Sequence, residues 1–307
     1  MNRNLKDIAN LLSKSLTPSR ALNAAKVLSS YYVSKWLSKP IHWGMPISFS
    51  IEPTTSCNLR CPQCPSGLRS FSRPTGMLDT DIFKKAIDDL HKQSAYVTLY
   101  FQGEPYLNKS FLDMVQYAAS KRLYTSTSTN AHYLNQENAE KTILSGLDRL
   151  IISIDGTTQE TYGKYRVGGQ LQKVLDGTKQ LMDARKKIGK RGPHIIWQFI
   201  VFAHNEHQLK DIKQLAKDYQ VDELAIKSAQ IYDYETGNDL IPQNETYSRY
   251  KKEESGTKFK NRLLNHCWRL WNSCVITWDG KVVPCCFDKD GQYRLGNINE
   301  NSFANIW

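Results

Sequence analysis

The sequence of 307 residues predicts an α/β fold in which six parallel strands alternate with helices and form a partial (β/α)6 barrel of the TIM type. Three observations predict this fold. Strand-like apolar runs recur between residues 46 and 230, helix-like stretches separate them, and polar or sulfur-bearing residues cluster at the ends of the first four strands. Function is therefore expected at the carboxyl ends of the strands.

The elements of the barrel follow in order along the chain. The predicted strands are residues 47–51, 96–101, 123–129, 150–154, 195–202 and 223–227. The predicted helices lie near residues 79–92, 109–122, 135–145, 168–190 and 205–219. Strands separated in this way by helices indicate parallel βα units.

Residues 1–45 are predicted to form a basic amphipathic helical arm. Thr17 and Pro18 are typical of an N-cap and a first helical position. Apolar residues then recur every three or four positions: Leu22, Ala25, Leu28, Tyr32 and Trp36. Seven basic residues against one acid give the arm +6 of the net charge of +11. We expect the arm to dock onto the barrel, with peripheral contact of residues 1–40 to an anionic membrane as the alternative.

Composition indicates a globular protein of the cytoplasm. Hydrophobic residues make up 40% of the chain, and the mean hydropathy is −0.53. No run approaches the roughly 18 apolar residues of a membrane span, and charges interrupt the N-terminus too often for a signal peptide. Seven cysteines, an odd number at short spacings, favour metal binding or redox chemistry over a disulfide framework.

Three of these cysteines, Cys57, Cys61 and Cys64, fall within eight positions. Structural zinc usually has four ligands, so zinc would need a distant fourth ligand such as His42 or His91. A cubane iron–sulfur cluster held by three thiolates instead keeps one iron open for a further ligand. The count of three therefore favours the iron–sulfur interpretation.

The remainder of the chain is predicted to contain a linker and a small cysteine domain. Residues 231–262 are polar and basic and are predicted to be a linker. Residues 263–307 form the last predicted unit, in which Asp279-Gly280 indicates a hairpin with a type I′ turn, flanked by Cys274 and Cys285.

The motifs together resemble the radical S-adenosylmethionine (radical SAM) enzyme superfamily. Cys57-x3-Cys61-x2-Cys64 follows the first strand, Gly103-Glu104-Pro105 follows the second, and the fourth ends at Ser153-Ile154-Asp155-Gly156. The resemblance implies that the core at 46–230 binds a [4Fe-4S] cluster and SAM. One electron from an external flavodoxin- or ferredoxin-type reductant would cleave SAM, and the 5′-deoxyadenosyl radical would take a hydrogen atom from the substrate.

The resemblance also implies roles for individual residues. Cys57, Cys61 and Cys64 would ligate the cluster, and the turn at Gly103, Glu104 and Pro105 would offer backbone groups to the methionyl amine. The implied contacts to the carboxylate, the ribose or other parts of SAM are Asn130, Ser153, Asp155, Arg166 and Gln198. Two positions depart from the family pattern: Gln63 replaces the aromatic residue often found before the third cysteine, and Gln102 replaces the first glycine of the second motif.

The C-terminal cysteines resemble the SPASM extension of that superfamily, which binds auxiliary iron–sulfur clusters. The resemblance rests on Cys267-x12-Gly280-x4-Cys285 and the sequence LGNINENSFANIW. It implies Cys267 and Cys285 as ligands, with Cys274 and Cys286 as further candidates. Relatives usually continue past this sequence with more cysteines, so three interpretations are open: Cys274 or Cys286 completes the cluster, one position is left for substrate, or the chain is truncated at Trp307.

Three functions are compatible with these observations. The first is radical SAM modification of a peptide or protein, and the second is the same chemistry on a small molecule or on a sugar or lipid precursor. The third, from a different class, is a non-enzymatic zinc-binding or nucleic-acid-binding module. No helix-turn-helix, zinc-finger or RNA-binding motif accompanies the positive charge, so no specific nucleic acid is expected.

Overall fold

One sheet organises the protein, and its parallel part is the partial barrel that the sequence predicts. The computed structural model describes residues 5–189, 192–254, 256–261 and 264–307. The strands are β1 Ser48–Ile51, β2 Tyr96–Thr98, β3 Tyr124–Thr129, β4 Arg149–Ser153, β5 His194–Val201, β6 Glu223–Ser228, β7 Tyr250–Glu253, β8 Gly256–Phe259, β9 Ser273–Ile276, β10 Lys281–Val283 and β11 Gly296–Asn297. The main sheet has the order β11-β10-β9-β1-β2-β3-β4-β5-β6, in which β1 to β6 are parallel neighbours.

Helices separate consecutive strands of the barrel. The helices of the described residues are α1 Leu5–Ser15, α2 Pro18–Leu37, α3 Pro65–Leu68, α4 Thr80–Leu90, α5 Phe111–Ser120, α6 Gln136–Leu144, α7 Gln159–Tyr165, α8 Leu171–Ile188, α9 Leu209–Asp218, α10 Trp268–Asn272 and α11 Phe303–Ile306, of which α3 to α9 lie between strands of the barrel. The five predicted crossover helices are present, α1 and α2 lie within the predicted helical arm, and the sequence analysis did not predict the short helices α3, α7, α10 and α11. Residues 1–4 of the predicted arm, and residues 255, 262 and 263 of the last two predicted units, lie outside the described ranges.

The two faces of the barrel sheet have different chemistry. Phe49 and Ile51 of β1 point into the hydrophobic core beneath the helices, together with the corresponding apolar residues of β2, β4 and β5. Successive side chains of a strand point to opposite faces, so Ser50, Thr98 and Ser126, which share ladder positions, lie on the other face. A polar concave face backed by an apolar layer positions the site at the mouth of the barrel.

The N-terminal arm docks at the amino-terminal ends of the strands. The buried carboxylate of Asp7 on α1 accepts hydrogen bonds from Tyr124 at the start of β3 and from Arg149 at the start of β4. Thr17 caps α2, and Pro18 begins it, as predicted. The prediction that α2 docks through its apolar face is wrong, because the side chains of that face are exposed. No helix within the described residues combines the length and apolarity needed to cross a bilayer.

The C-terminal hairpin is part of the barrel sheet. Strand β9 pairs in parallel with β1, and β10 pairs with β9 in antiparallel fashion, so the predicted hairpin is confirmed. Its predicted type I′ turn is wrong: only Gly280, and not Asp279, has a positive φ, and the loop closes with a hydrogen bond from the Gly280 N–H to the Thr277 carbonyl. A type I′ turn needs positive φ at both central residues.

The segment predicted as a linker is structured where it is described. Strands β7 and β8 form an antiparallel hairpin. Tyr250 of β7 stacks on Tyr234 with ring centroids 4.8 Å apart, and Phe259 packs against both rings. The Tyr250 hydroxyl also donates to the Ile231 carbonyl and accepts from the Ile231 N–H. These contacts form a small second core that packs against the cysteine loop. The prediction of a linker, which rested on the polar composition of the segment, is therefore wrong for its described part.

Candidate active site

The cysteine loop leaves β1 and folds back on itself at the carboxyl end of the barrel. The Cys64 N–H donates to the Cys61 carbonyl, and Cys64 precedes α3 as its N-cap residue. Gly67 of α3 packs so closely on the loop that a Cβ there would lie 2.5 Å from the Cys61 nitrogen. The Arg60 N–H donates to the Val167 carbonyl and ties the loop to the segment after α7. The three thiols are therefore held on a compact, braced loop.

The thiols share one cavity of about 110 Å³ with most of the predicted SAM contacts. The predicted residues that line it are Cys57, Cys61, Cys64, Gly103, Glu104, Asn130, Ser153 and Arg166. The predicted residues that do not line it are Pro105, Asp155 and Gln198. The sequence prediction missed Leu59, Ser66, Gly67, Tyr100, Ser128 and Thr129. Strand alternation could have indicated two of these, because Tyr100 and Ser128 each lie two positions before a motif residue.

Arg166 is the principal cation of the cavity, and Asp155 holds it there. The Arg166 Nε donates to Asp155 Oδ2 at 2.6 Å, and its Nη1 lies 3.8 Å from the Cys61 Sγ. Burial acts to lower the pKa of Arg166, but the Asp155 carboxylate and Cys61 outweigh it, so this pKa lies well above its ordinary value. The other Asp155 oxygen accepts from the Ile200 N–H at 2.7 Å. Asp155 is fully buried and does not line the cavity, so the structure shows it supporting Arg166, and its predicted direct contact to SAM stays a prediction.

The Glu104 carboxylate also has a positioning role. It accepts hydrogen bonds from the Thr129 hydroxyl at 2.7 Å and from the Asn130 N–H at 2.8 Å. Burial raises the pKa of Glu104 to about 7, although these two hydrogen bonds act to lower it. Glu104 therefore ties the turn after β2 to the end of β3 and sets the backbone of Asn130.

The turn at Gly103 can offer carbonyl groups to a ligand, but its N–H groups are occupied. The Gly103 N–H donates to the Ser66 hydroxyl and the Glu104 N–H donates to the Ser56 carbonyl. An ammonium group donates hydrogen bonds, so carbonyl oxygens of this turn are the groups able to receive a methionyl amine. Pro105 lies outside the cavity and begins a 3-10 turn.

Gly103→Ala is expected to destabilise the turn far more than an ordinary glycine substitution. Its φ is +74°, and a Cβ would lie 2.3 Å from the Thr54 carbonyl oxygen. We expect the free energy of unfolding to fall by about 3 kcal/mol, since strain and a backbone clash add. The control is Gly189→Ala, whose φ of +66° is similar but whose Cβ would meet nothing within 4 Å; it should cost about 1 kcal/mol. Urea unfolding measures both, and equal losses would contradict the steric argument.

Polar side chains surround the thiols at the strand ends. Asn130 Nδ2 donates to Asn58 Oδ1 at 2.7 Å and lies 4.0 Å from the Cys57 Sγ. Burial raises the pKa of the Cys57 thiol to about 12 and also raises the pKa of the Cys61 thiol. Buried thiols of this kind carry their protons unless a metal replaces them. The donor set therefore fits a cationic metal cluster.

Gln63, the first departure from the family pattern, anchors the segment after β6. Its Oε1 accepts from the Tyr232 N–H at 3.0 Å, and its Nε2 donates to Asp233 Oδ1 at 3.2 Å. Gln102, the second departure, is buried beside Cys64, whose Sγ lies 4.0 Å from its Oε1. Both glutamines thus have contacts that an aromatic residue or a glycine could not make.

The zinc interpretation finds no support in the positions of the two histidines. The His42 ring contacts the Trp271 carbonyl at 2.9 Å, and the His91 ring contacts the carbonyls of Ile87 and Asp88. Among the residues that the structure describes, no three His, Cys, Asp or Glu side chains converge on a single metal ion.

A second group of thiols lies in the C-terminal region. Cys285 and Cys286 follow the end of β10, so strand alternation does not separate them. Burial, Cys286 and Cys267 all act to raise the pKa of Cys285, which places Cys267 within electrostatic reach. Cys274 is different: it pairs with Phe49 across the sheet and lies fully buried in the main core. The predicted role of Cys274 as a metal ligand stays a prediction, and its position in the main core is that of a small buried side chain.

Fold and site together define a class of protein, a partial barrel that brings a three-cysteine loop and the polar residues of several strand ends to one cavity at its mouth. The model of the radical SAM superfamily matches residues 51–218, more than half of the chain, and the chain belongs to this superfamily. The model of the SPASM iron–sulfur cluster-binding domain matches residues 267–307. The protein is therefore a radical SAM enzyme that uses a [4Fe-4S] cluster and SAM, with a SPASM domain of the kind that binds auxiliary clusters.

Several characterised proteins are similar to this chain. The tungsten-containing aldehyde ferredoxin oxidoreductase cofactor-modifying protein of Pyrococcus furiosus is 27% identical over 84% of this chain and 79% of its own length. PqqA peptide cyclase of Bradyrhizobium diazoefficiens is 26% identical over 79% of this chain and 67% of its own length. Mycofactocin maturase MftC of Mycobacterium ulcerans is 25% identical over 85% of this chain and 74% of its own length.

Solved structures share the fold. Streptococcus suis SuiB bound to S-adenosylmethionine aligns with a TM-score of 0.65 and 12% identity, covering 100% of this chain and 82% of SuiB. The enzyme anSMEcpe with bound AdoMet aligns with a TM-score of 0.63 and 16% identity, covering 85% of this chain and 80% of anSMEcpe. At these identities the likeness concerns the fold alone, and it agrees with the predicted partial barrel.

Proposed function

We propose that Cys57, Cys61 and Cys64 ligate the [4Fe-4S] cluster and that the enzyme acts on a peptide or protein. The observation that carries the first part is the placement of all three free thiols on one cavity. When bound, the cluster and SAM supply a 5′-deoxyadenosyl radical, which abstracts a hydrogen atom from the substrate. The proposal places the enzyme in the cytoplasm, where thiols stay reduced and a flavodoxin- or ferredoxin-type reductant supplies one electron.

The residues of the chain bind and orient SAM in this proposal. The Arg166 guanidinium, held by Asp155, is directed to the SAM carboxylate, since its planar fork matches a carboxylate. Ser153 and Asn130 line the same cavity and supply further polar contacts. Gln198, opposite Ser153 in the β4–β5 ladder, stands one strand further from the thiols. Carbonyl groups of the Gly103 turn receive the methionyl amine.

The segment between β6 and α10 keeps water away from the thiols. Tyr250 and Ile231 are buried in the small core that also contains Leu59 and Cys61. A dry site strengthens the hydrogen bonds and charge interactions within it and protects a reactive radical from side reactions. Cys267, Cys285 and Cys286 are our proposed ligands for the auxiliary cluster of the SPASM domain.

The peptide substrate is proposed from the relatives. PqqA peptide cyclase is named for a peptide, and SuiB has been solved bound to the precursor peptide SuiA. A second candidate, a small molecule, is favoured by the Pyrococcus furiosus relative, which is named for modifying a cofactor. Both candidates use the same chemistry at the same cavity.

A fractionated extract distinguishes the two candidates. The anaerobically reconstituted protein should form 5′-deoxyadenosine from SAM with dithionite, and its true substrate should increase that rate. We expect an extract of the source cells to stimulate the rate, and protease treatment to abolish the stimulation whichever size fraction carries it. Stimulation by the low-mass, protease-resistant fraction would assign the small-molecule function instead. No 5′-deoxyadenosine under any condition would contradict the proposal of SAM cleavage.

A further inference from the structure

The N-terminal helix α2 is docked with its polar face inward. The residues buried against the domain are Arg20, Asn23, Val27, Ser30 and Ser34. The large apolar side chains that remain exposed are Leu22 (60%), Leu28 (46%), Tyr32 (60%) and Trp36 (82%). At 3.6 residues per turn the two sets lie on opposite sides of the helix. An amphipathic helix of a globular domain normally buries its apolar face, so this arrangement is inverted.

Hydrogen bonds of the buried face fix this orientation. The Arg20 guanidinium donates to the carbonyl groups of Ser15, His91, Lys121 and Arg122, two of which lie beyond the end of α5. These are bonds from a charged donor to helix-terminal carbonyls that otherwise lack partners. Rotation of α2 to bury its apolar side would break all of them.

Asn23, one turn further along α2, adds a second anchor. Its Nδ2 donates to the carbonyls of Met45 and Gln93, and its Oδ1 accepts from the Met45 N–H. A buried polar group that loses its partners costs about 1–3 kcal/mol. The exposed apolar side of α2 is therefore a fixed feature of the fold.

The helix α1 repeats the inverted arrangement. Its Asp7 is buried and its Lys14 forms an ion pair with Asp148 at 2.5 Å. The exposed apolar side chains of this part of the arm are Leu5 (81%), Leu12 (49%) and Leu16 (60%). Two successive helices that both expose leucines and bury polar groups are unlike the other helices of the barrel, whose apolar faces form the main core.

The charges around the α2 stripe indicate an anionic partner. Lys26, Lys35 and Lys39 are exposed, and within the described residues no acidic side chain pairs with them. The only acid between residues 5 and 39 is Asp7, which is buried. An isologous contact with a second copy would bring these lysines together, and like charges repel.

We propose that the exposed stripe of α2 lies on an anionic lipid surface. Its leucines enter the boundary of the acyl chains, Trp36 and Tyr32 take the interfacial position that aromatic side chains with a polar atom prefer, and the lysines meet lipid phosphates. Together with the finding on membrane spans given above, this makes the contact peripheral. The anchors of α2 lie at the amino-terminal ends of the strands, so the thiol cavity at the carboxyl ends faces the aqueous side.

Vesicle flotation of the full-length reconstituted protein tests this proposal. The probes are vesicles of phosphatidylcholine alone and vesicles with about 30% phosphatidylglycerol. We expect binding only to the anionic vesicles, and loss of it as salt increases. The variant Leu22→Ser/Tyr32→Ser/Trp36→Ser should reduce the partition coefficient at least tenfold, whereas Leu144→Ser, at an exposed leucine of α6, should not change it.

Charge variants provide a matched second comparison. Lys26→Gln/Lys35→Gln/Lys39→Gln should weaken binding on the order of 100-fold, about fivefold for each lysine. Lys210→Gln/Lys213→Gln/Lys217→Gln on α9 removes the same charge from another exposed helix and should have little effect. Iron content and the unfolding midpoint of each variant verify that it is folded.

Two results would overturn the proposal. The first is equal flotation of the wild-type protein and the stripe variant, or no flotation of the wild type. The second is a dimer in light scattering without lipid that the stripe variant converts to a monomer, because this would assign the surface to a second copy. Neither result depends on the proposed reaction, since flotation requires no turnover.

Discussion

Cys61→Ala is expected to abolish formation of 5′-deoxyadenosine and to remove about four irons per chain. Cys61 is buried, faces Arg166 and shares its cavity with the other two thiols of the loop. A cubane that loses one of three protein ligands is no longer held in this cavity. Iron and sulfide analysis, together with chromatographic detection of 5′-deoxyadenosine, measures the effect.

Cys274→Ala is the matched control for this prediction. Cys274 is equally buried, but it lies in the main core, pairs with Phe49 across the sheet and does not line the cavity of the three-cysteine loop. We expect it to retain the full iron content and turnover, and to lose about 1 kcal/mol of stability through a small cavity. Appreciable turnover of Cys61→Ala, or loss of iron in Cys274→Ala, would contradict the assignment of the thiols.

Arg73→Met is expected to reduce the free energy of unfolding by about 3–5 kcal/mol. Arg73 and Glu52 form a buried bidentate pair with distances of 2.6 and 2.8 Å. The same arginine donates to the Lys289 carbonyl, and Glu52 accepts from the Trp278 N–H, so the pair joins the cysteine-loop region to the C-terminal domain. Without Arg73, the Glu52 carboxylate remains buried without its cation. Urea unfolding measures the loss.

The loss should increase with pH. Burial already raises the pKa of Glu52, although Arg73 acts to lower it, and removal of Arg73 raises it further. A raised pKa in the folded state means that stability is retained at low pH, where Glu52 is protonated, and declines as the pH passes through that pKa. Arg73→Met should therefore be closer to the wild type at acidic pH than at neutral pH.

Two variants complete this comparison. Glu52→Gln/Arg73→Met should recover part of the stability, because no buried charge remains. Lys141→Met breaks an exposed pair with Glu137 and should cost about 0.5 kcal/mol or less. A loss of similar size for Arg73→Met and Lys141→Met would refute the argument from burial.

Local sequence patterns predicted the barrel and the location of the site well. Each predicted strand has a counterpart, because runs of five to eight apolar, β-branched or aromatic residues between helices favour strands. The motifs after these strands converge because the carboxyl ends of parallel strands lie at one end of a barrel. Among the predicted cofactor contacts, Asp155 and Glu104 lie in the region of the site, but in the structure the Asp155 carboxylate binds Arg166 and the Glu104 carboxylate binds the Asn130 N–H. A sequence gives the position of a carboxylate along the chain and leaves its partners open.

Contacts between distant segments decided the rest. The apolar repeat of α2 predicted a docking face, yet the bonds of Arg20 to the ends of other helices turned that face outward. The polar composition of residues 231–262 predicted a linker, yet Gln63 and the cluster of Tyr234, Tyr250 and Phe259 fix its described part against the cysteine loop.

The sequence by itself determined the class of this protein: the order of the strands, the three-cysteine loop and the motifs that follow the strands all depend on local spacing, which the chain carries in full. Only the tertiary structure decided which cysteines share a site, which face of the N-terminal arm meets solvent, and that the C-terminal hairpin extends the barrel through the pairing of β9 with β1. The physical reason is that these features depend on hydrogen bonds and burial between residues far apart in the sequence. The energies of such contacts exist only once the chain has folded.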